Sequence, residues 1–193
     1  VDTDGLSEVI SIDTNFPKGD INRDNPTIDA GVVRYGSIGD YVWFDENADG
    51  IQDPGEEVIE GAKVYLLDAL GVRIDSTTTD EFGKYEFDSL FSGTYQVEFA
   101  LPTGYDEFTQ TGAGTPMTDS DADTNGKSGS IVLDTSFPPG DINRDNPTID
   151  AGVVRYGSIG DYVWFDENAD GIQDNTEDPI EDVVVNLLDD NGA

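Results

Sequence analysis

Polar and apolar side chains alternate along short runs of this chain, and turn residues separate the runs. Residues 94–99, TYQVEF, alternate at every position, as expected for a strand with one buried face. Residues 84–87 follow the same pattern, and Glu81, Phe82 and Gly83 before them predict a hairpin turn. The pattern therefore predicts strands, and no segment combines helical periodicity with capping residues.

Seven strands are predicted in this way, and all lie between residues 37 and 156. They are residues 37–44, 63–67, 72–78, 84–87, 94–101, 130–134 and 148–156. Short strands with no helix between them favour an all-β fold, here an immunoglobulin-like or prealbumin-like β-sandwich.

The sequence contains an internal repeat. Residues 19–53 recur without change at residues 140–174, so the period is 140 − 19 = 121 residues. Unchanged repetition at a fixed period indicates a tandem array, and we expect the source protein to continue beyond both ends. The predicted divisions are residues 1–35, the C-terminal part of a preceding repeat, 36–156, one complete β-sandwich repeat, and 157–193, the N-terminal part of the following repeat.

The repeat copies also show which face of one predicted strand is buried. Val64 and Leu66 recur as Val185 and Leu187, whereas the positions on either side of Val64 change. Substitution on one parity only is expected when the other parity faces the core.

The net charge of the chain limits the kinds of partner that it can bind. It has 42 acidic and 9 basic residues, a formal net charge of −33, with 36% hydrophobic residues that allow a core. Nucleic acid and anionic membrane surfaces are excluded as partners because both require clustered Lys and Arg. No apolar run approaches the roughly 20 residues that cross a bilayer, so no membrane insertion is expected in this segment. Metal cations remain the expected partners.

The absence of two residue types limits the chemistry. The chain has no Cys and no His, so neither thiolate sites nor the usual nucleophile pairs can form. Paired carboxylates could act in a glycosidase, but here calcium loops account for them, and no catalytic residue is predicted. Aromatic residues at strand spacing could form a glycan-binding face, although core packing is the favoured interpretation. We expect a protein that is not an enzyme.

The clearest chemical motif is the twelve-residue loop DENADGIQDPGE at residues 45–56. Calcium loops of this length place oxygen ligands at positions 1, 3, 5, 7, 9 and 12 and a glycine at position 6. Those ligand positions hold Asp45, Asn47, Asp49, Ile51, Asp53 and Glu56. The flanking segments predict strands, so we expect the loop on a β-domain rather than between helices.

The loop occurs a second time as DENADGIQDNTE at residues 166–177. The matching candidates are Asp166, Asn168, Asp170, Ile172, Asp174 and Glu177. An Asx-rich turn between strands is the alternative, but the full pattern in both copies favours Ca²⁺, with several ions expected per repeat.

Two further acidic clusters are weaker candidates. Asp119, Asp121 and Asp123 alternate before a glycine, and a solvated acidic loop is the alternative there. The other cluster has an arginine inside it and no closing glutamate. Its candidates are Asp20, Asn22 and Asp24 in one copy and Asp141, Asn143 and Asp145 in the other, with Asp29 and Asp150 as optional additions. Asp80 either adds a ligand to a neighbouring site or caps a turn.

Three segments together resemble a known family. They read SIGDYVWFDENADGIQD, IEGAKVYLLDALG and TTTDEFGKYEFDSLFSGTYQVEFALPTGY. In this order they are similar to the B-repeat domain of serine-aspartate repeat (Sdr-type) surface adhesins, a calcium-binding relative of the collagen-adhesin B-type fold. The resemblance implies a rod-like spacer with several calcium ions, which holds a binding region away from the cell. It also implies calcium sites at residues 45–56 and at the DSD of residues 119–121.

The expected function is a calcium-stabilised structural repeat in the rigid stalk of an extracellular bacterial adhesin. Its partners would be calcium and the neighbouring repeats of the same chain. One alternative is a self-assembling unit of an extracellular filament, sheath or surface layer, in which like chains are partners. Another is a binding module for a glycan or a protein. The expected location is extracellular, on the cell surface or in a secreted fibre.

Overall fold

The computed structural model describes residues 13–15, 17, 18, 20 and 30–188. It divides the chain into two units, Val1–Arg155 and Tyr156–Ala193. The described residues form strands and loops without a helix, which confirms the predicted all-β class. They consequently include no helix able to span a bilayer. The finer repeat boundaries derived from the sequence stay a prediction.

The described part of the first unit contains nine strands. They are β1 Gly36–Phe44, β2 Lys63–Asp68, β3 Arg73–Thr78, β4 Lys84–Leu90, β5 Gly93–Phe99, β6 Glu107–Phe108, β7 Ile131–Leu133, β8 Asp145–Asn146 and β9 Ala151–Val154. Alternation predicts all of them except β6 and β8, because two residues are too few to show a period.

The strands form two sheets, as predicted for a sandwich. The first sheet has the order β4-β1-β9-β6, with β8 also paired to β1. The second sheet has the order β3-β2-β5-β7 and is antiparallel throughout. Within the first sheet β1 is antiparallel to β4 and parallel to both β8 and β9. The first and last strands of the repeat are therefore neighbours.

The core lies between the two sheets. Val64 and Leu66 on β2 are fully buried, as their recurrence predicts. Each such side chain contributes about 1.5–3 kcal/mol through removal from water. Tyr85, Phe87 and Phe99 are also buried, and Tyr85 makes edge contacts with both other rings. For these three aromatic residues core packing is confirmed.

The predicted turn at Glu81–Gly83 has a different role from the one expected. It joins β3 in the second sheet to β4 in the first, so it connects the sheets and is not the turn of a hairpin. The Oδ1 atom of Asp80 accepts the backbone N–H groups of Phe82 and Lys84, each at 2.9 Å. Asp80 therefore caps this turn, as its alternative interpretation predicts.

The second unit is described as far as residue 188, and no strand occurs in that part. Val185 and Leu187 are 77% and 83% exposed, whereas their repeat equivalents Val64 and Leu66 are fully buried. In the first unit Val64 lies opposite Phe99, and Leu66 lies opposite Val97, on the neighbouring strand β5. The apolar pattern predicts a buried strand correctly only when the rest of the sandwich is present.

Candidate metal sites

The acidic loop at residues 45–56 leaves the end of β1 and returns to the same place. The backbone N–H of Phe44 donates to the carbonyl of Glu57 at 2.7 Å, which closes the base of the loop. Ala48 and Gly50 have φ angles of 57° and 78°, in the left-handed region. Glycine adopts that region without steric cost, so its place in the motif permits the sharp turn.

Asp45 is the first residue of the loop and only 1% exposed. Its Oδ2 atom accepts the N–H of Gly50 at 2.8 Å and the hydroxyl of Thr109 at 2.5 Å. Its Oδ1 atom accepts the N–H of Asp49 at 3.3 Å. Because a buried carboxylate is costly unless it is hydrogen-bonded, these contacts fix Asp45 in one position.

Backbone N–H groups also orient the other oxygens of the loop. Asn47 Oδ1 accepts the N–H of Asp49 at 3.1 Å. The two carboxylate oxygens of Glu56 accept the N–H groups of Glu46 at 3.0 Å and of Asp53 at 2.8 Å. The last residue of the loop is thus tied to its beginning and its middle, which closes the turn.

Negative charge is concentrated inside this loop. Burial raises the pKa of Glu56, and the nearby carboxylates of Asp45 and Asp53 add to that increase. The side-chain amide of Asn47 lies between two of the acids, with its Nδ2 atom 3.0 Å from Asp49 Oδ2 and 3.2 Å from Asp53 Oδ2. A donor between carboxylates lowers their repulsion, which a cation would do more strongly.

The second loop has the same internal contacts. Gly171 donates to Asp166 Oδ2 at 2.9 Å, and the Glu177 carboxylate accepts the N–H groups of Glu167 at 3.1 Å and Asp174 at 2.9 Å. The structure therefore gives both copies of the motif one conformation.

The oxygen donors of the loop suit calcium in kind, because this ion prefers six to eight oxygen ligands. Within the described ranges, however, no three acidic side chains converge closely enough to hold a metal ion by themselves. An ion in the first loop would therefore need further ligands, and the Asn47 amide oxygen, the Ile51 carbonyl and water are the available types.

The three aspartates predicted as a second site line one surface pocket but differ in burial and in hydrogen-bond partners. Asp123 is exposed, and its Oδ1 atom accepts the N–H groups of Asn125 at 2.8 Å and Lys127 at 2.9 Å. These bonds, the one from Lys127 first, lower the pKa of Asp123. Asp119 and Asp121 lie in the more buried part of the same loop.

Asp119 and Asp121 belong to a group of four aspartates from distant parts of the chain. Asp150, the residue before β9, donates its N–H to Asp121 Oδ2 at 3.1 Å and accepts the Asp121 N–H at 3.0 Å. The fourth member is Asp40, on β1, whose carboxylate interacts electrostatically with those of Asp121 and Asp150. We call Asp40, Asp119, Asp121 and Asp150 the aspartate cluster.

Asp150 is fully buried, and neither of its carboxylate oxygens has a hydrogen-bond partner. Asp119 Oδ1 is also buried without a partner. Burial raises the pKa of Asp150 to about 9, and the charges of Asp121, Asp40 and Asp119 contribute to this value. An ionised carboxylate in this position costs several kcal/mol, so it must bind either a proton or a cation.

Two other members of the cluster share this property. Burial raises the pKa of Asp40 to about 7, against the opposing charge of Lys84. Burial raises the pKa of Asp121 to about 6, against the hydrogen bond from the Asp150 backbone, with Asp119 adding to the rise. The cluster therefore contains four carboxylates that cannot all be ionised at neutral pH without a compensating charge.

The position of Asp40 on its predicted strand marks it as a candidate site residue, although the spacing of the acidic motifs does not include it. Ile38 and Val42 on β1 are buried in the core. Because side chains alternate along a strand, Asp40 lies on the same face as these two residues. A carboxylate at a core-facing position is unusual, and it marks the strand as part of a polar site.

The third predicted cluster forms a turn with local partners. Asp141 Oδ1 accepts the backbone and side-chain N–H groups of Asn143, at 3.0 and 2.8 Å. Asp145 Oδ2 accepts the N–H of Gly140 at 2.6 Å, and its Oδ1 atom lies 3.7 Å from Arg144 Nε. In the other copy Asp20 is described, whereas Asn22, Asp24 and Asp29 lie outside the described residues.

Comparison with known proteins gives related sequences over most of the chain. Serine-aspartate repeat-containing protein D of Staphylococcus aureus strain MW2 is 42% identical over 175 residues, which cover 89% of this chain and 12% of that protein. Serine-aspartate repeat-containing protein F of Staphylococcus epidermidis strain ATCC 12228 is 44% identical over 174 residues, covering 89% and 10%. The chain thus spans about a tenth of the length of these relatives.

Among solved structures, the major plantain pollen allergen Pla l 1 aligns with a TM-score of 0.41 and 13% identity, covering 65% of this chain and 98% of its own. The family model of the SdrD B-like domain matches residues 36–153 and again residues 157–193. The first match includes the loop at residues 45–56 and all four members of the aspartate cluster, and the second includes the repeated loop. With four fifths of its length matched in this way, the chain belongs to the SdrD B-like domain family.

Proposed function

We propose that residues 36–155 form a calcium-stabilised structural repeat, which serves as a rigid spacer in an extracellular bacterial surface adhesin. Membership of the SdrD B-like domain family supports the structural role, and so does the identity with serine-aspartate repeat proteins. The observation that carries the calcium part is Asp150, a fully buried carboxylate with two unpaired oxygens among three other aspartates.

Among the described residues no three carboxylates, those of the aspartate cluster included, converge closely enough to hold a metal ion by themselves. A divalent cation in the cluster would therefore need further oxygen ligands, such as water, and it would join segments that are distant in sequence. Asp40 lies on β1, Asp121 follows the loop after β6, and Asp150 precedes β9. The calcium loop is next to this group, since Gln52 donates its N–H to the Thr118 carbonyl at 2.7 Å and Ile51 pairs with Asp119. Ions at the two places would therefore stabilise one connected region of the sandwich.

Bound calcium would also reduce the electrostatic repulsion within the whole chain. A formal net charge of −33 disfavours the compact state through self-repulsion. Extracellular calcium modules bind with dissociation constants near 10⁻⁴–10⁻³ M. At 5 mM calcium each site would then add about 1–2 kcal/mol to the free energy of unfolding through linkage.

The direct test compares the melting temperature of the chain in 5 mM calcium and in excess chelator, together with a calcium titration by calorimetry. We expect chelation to lower the melting temperature by about 5–10 °C, since each kcal/mol is worth about 2–4 °C for a domain of this size. Magnesium is the control ion, because it demands stricter octahedral geometry and releases water reluctantly. Equal melting temperatures with calcium and with chelator, and no heat of binding, would refute the calcium proposal.

Substitution of Asp150 gives a sharper test, because the expected effect changes sign with calcium. At pH 8, below the pKa of about 9, folded Asp150 must take up a proton that an unfolded aspartate has released. Asp150→Asn removes this cost, so in chelator at pH 8 the variant should melt above the unsubstituted chain. In calcium the order should reverse, since the variant lacks a ligand. The matched control is Asp88→Asn on the exposed side of β4, which should change neither value. A variant that is less stable under both conditions would show that Asp150 has a structural role without an ion.

The extracellular filament built from like chains is the alternative function. Light scattering of the chain with and without calcium separates the two, because self-assembly increases scattering and a spacer leaves it unchanged.

A further inference from the structure

Two side chains outside the acidic loop at residues 45–56 hold two of its residues in place. Thr109, the residue after β6, donates its hydroxyl to Asp45 Oδ2 at 2.5 Å. Gln110 donates its side-chain N–H to the Asp49 carbonyl at 2.6 Å. Asp45 and Asp49 occupy positions 1 and 5 of the calcium motif. The loop is thus supported by residues that lie 64 and 61 positions further along the chain.

Strand β9 brings Thr109 to Asp45. It lies between β1 and β6 in the first sheet. The Val153 carbonyl accepts the N–H of Asp45 at 3.0 Å, and the Gly152 carbonyl accepts the N–H of Thr109 at 2.9 Å. The two backbones are therefore bound to adjacent residues of one strand, and their side chains meet beside it.

Gly152 leaves the space that this contact needs. A Cβ atom at this position would lie 2.6 Å from Thr109 Cγ2 and 2.8 Å from Trp43 Cζ2. Carbon atoms that are not bonded to each other pack at about 3.5–4.0 Å, so a side chain here would displace one of these two neighbours. The absence of a side chain on β9 therefore permits the buried Thr109 to approach Asp45.

Hydrogen bonds distinguish the two carboxylate oxygens of Asp45. Each oxygen of a carboxylate has about two lone-pair sites. Oδ2 uses both, for the Gly50 N–H at 2.8 Å and for the Thr109 hydroxyl. Oδ1 accepts one long bond, from the Asp49 N–H at 3.3 Å. Oδ1 is therefore the oxygen with capacity left for a cation.

The loop at residues 166–177 has the local bonds without this support. Asp166 Oδ2 accepts the N–H of Gly171 at 2.9 Å, and its Oδ1 atom accepts the N–H of Asp170 at 3.2 Å. In the described part of the chain no hydroxyl donates to Asp166. The two loops therefore differ in what holds their first aspartate.

We propose that Thr109 and Gln110 are positioning residues, which fix Asp45 and the Asp49 carbonyl before an ion arrives and so raise the calcium affinity of the first loop above that of the second. Groups that orient metal ligands typically change affinity by about 10–100-fold, because prearranged ligands lose less freedom on binding. Neither residue is a candidate ligand. The inference rests on the proposed calcium binding and adds the residues that set its strength.

The test is a calcium titration of the full chain followed by the amide NMR signals of Gly50 and Gly171. Each of these N–H groups donates to the first aspartate of its own loop, so the two signals report the loops separately. Gly50 should reach half-saturation at the lower calcium concentration. Thr109→Val removes the hydroxyl at nearly constant shape and should raise that concentration about tenfold, without a change at Gly171.

A second variant covers the case in which Thr109→Val does not fold in chelator. Gln110 is exposed, so Gln110→Met removes its donor without disturbing the core. Since one hydrogen bond to a neutral carbonyl is lost, the half-saturation concentration at Gly50 should rise by about threefold.

Two controls separate positioning from general stability. Thr109→Ser keeps the hydroxyl and should keep the calcium affinity. Thr79 is also buried, and its hydroxyl donates to the Ile59 carbonyl at 2.6 Å, outside both loops. Thr79→Val should lower the melting temperature in chelator and leave both half-saturation concentrations unchanged.

Three outcomes would count against the inference. An unchanged Gly50 titration in both Thr109→Val and Gln110→Met would overturn the positioning role and leave calcium binding intact. An equal weakening in Thr79→Val would overturn it as well, because the affinity would then follow stability alone. Glycine signals that do not respond to calcium in the unsubstituted chain would instead refute calcium binding by the loops, and the positioning role with it.

Discussion

The two acidic loops of this chain have the same internal contacts in different surroundings. In the complete repeat Asp45 is 1% exposed and accepts the Thr109 hydroxyl, and Gln110 donates to the Asp49 carbonyl at 2.6 Å. In the second unit Asp166 is only half-buried, although the bond from Gly171 is the same. The conformation of the loop is therefore encoded locally, whereas its burial depends on the segment that follows β6.

This comparison predicts that equivalent substitutions in the two loops have unequal effects. Asp45→Ala leaves the buried Thr109 hydroxyl and Gly50 N–H without an acceptor. It should lower the free energy of unfolding by about 2–4 kcal/mol, since removal of a charged acceptor strands both donors. Asp166→Ala breaks the same local bonds at a half-buried position and should leave the melting of residues 36–155 unchanged. Urea unfolding followed by Trp fluorescence measures both, and equal losses would contradict the distinction.

Substitution of the loop glycine distinguishes the effect of backbone strain from that of contacts with surrounding residues. An alanine Cβ at Gly50 would lie 2.6 Å from Gln110 Cγ and 2.7 Å from the Gln110 carbonyl oxygen, whereas at Gly171 it would meet nothing within 4 Å. Both positions have positive φ, which costs a non-glycine residue about 1–2 kcal/mol. Gly50→Ala should therefore lower the free energy of unfolding by more than that strain alone, while Gly171→Ala should not change the melting of the complete repeat.

Calorimetric titration of the same two variants gives the corresponding calcium affinities. If Gly50→Ala lowers the free energy of unfolding no more than Gly171→Ala does, the close contact with Gln110 does not hold the first loop in place.

A further expected effect concerns pH. In chelator the aspartate cluster binds protons in the folded state up to pH values of about 6 to 9, whereas an unfolded aspartate releases its proton near pH 4. The folded state then holds more protons, so stability is full below pH 4 and is lost as pH rises toward 9. Each extra proton held by the folded state costs about 1.4 kcal/mol per pH unit, and Asp150 holds one over most of this range. The melting temperature should therefore fall by about 10 °C between pH 6 and pH 9. With no His or Cys in the chain, few other groups titrate there.

Asp40 and its repeat copy Asp161 provide the matched pair for this measurement. Asp40→Asn should flatten the fall in melting temperature, because it removes one member of the cluster. Asp161→Asn should leave the fall unchanged, because Asp161 is exposed and the copies of its partners are missing from the sequence. Calcium should suppress the fall in the unsubstituted chain. A melting temperature that rises across this range would show that the cluster is not buried in solution.

The structural features that could be predicted from the sequence are those that depend on residues close together in the chain. Alternation predicts the seven longer strands, and twelve-residue spacing identifies a loop whose internal contacts match the motif in both copies. The turn at Asp80 is likewise local, but its role in joining the sheets is not. Which strand pairs with which depends on the whole sandwich, so local alternation cannot distinguish a hairpin from a crossover.

The aspartate cluster could not be found by spacing. Asp40, Asp121 and Asp150 are 81 and 29 residues apart along the chain (121 − 40 and 150 − 121) and meet only because β1 and β9 pair. Spacing instead groups Asp121 with Asp123 and Asp150 with the turn at residues 141–145. A rule that searches for acids on the core-facing parity of a predicted strand would have found Asp40, but its partners require the fold.

The parallel pairing of β1 with β9 has a mechanical consequence. Because the two strands run in the same direction, the chain enters the repeat at one end of the pair and leaves it at the other, with Val42 opposite Ala151 and Phe44 opposite Val153. A stretching force along the array would slide the strands past each other and strain all of these hydrogen bonds at once, instead of peeling them apart one at a time. Hydrogen bonds that are strained together would resist extension more strongly than bonds that break one after another.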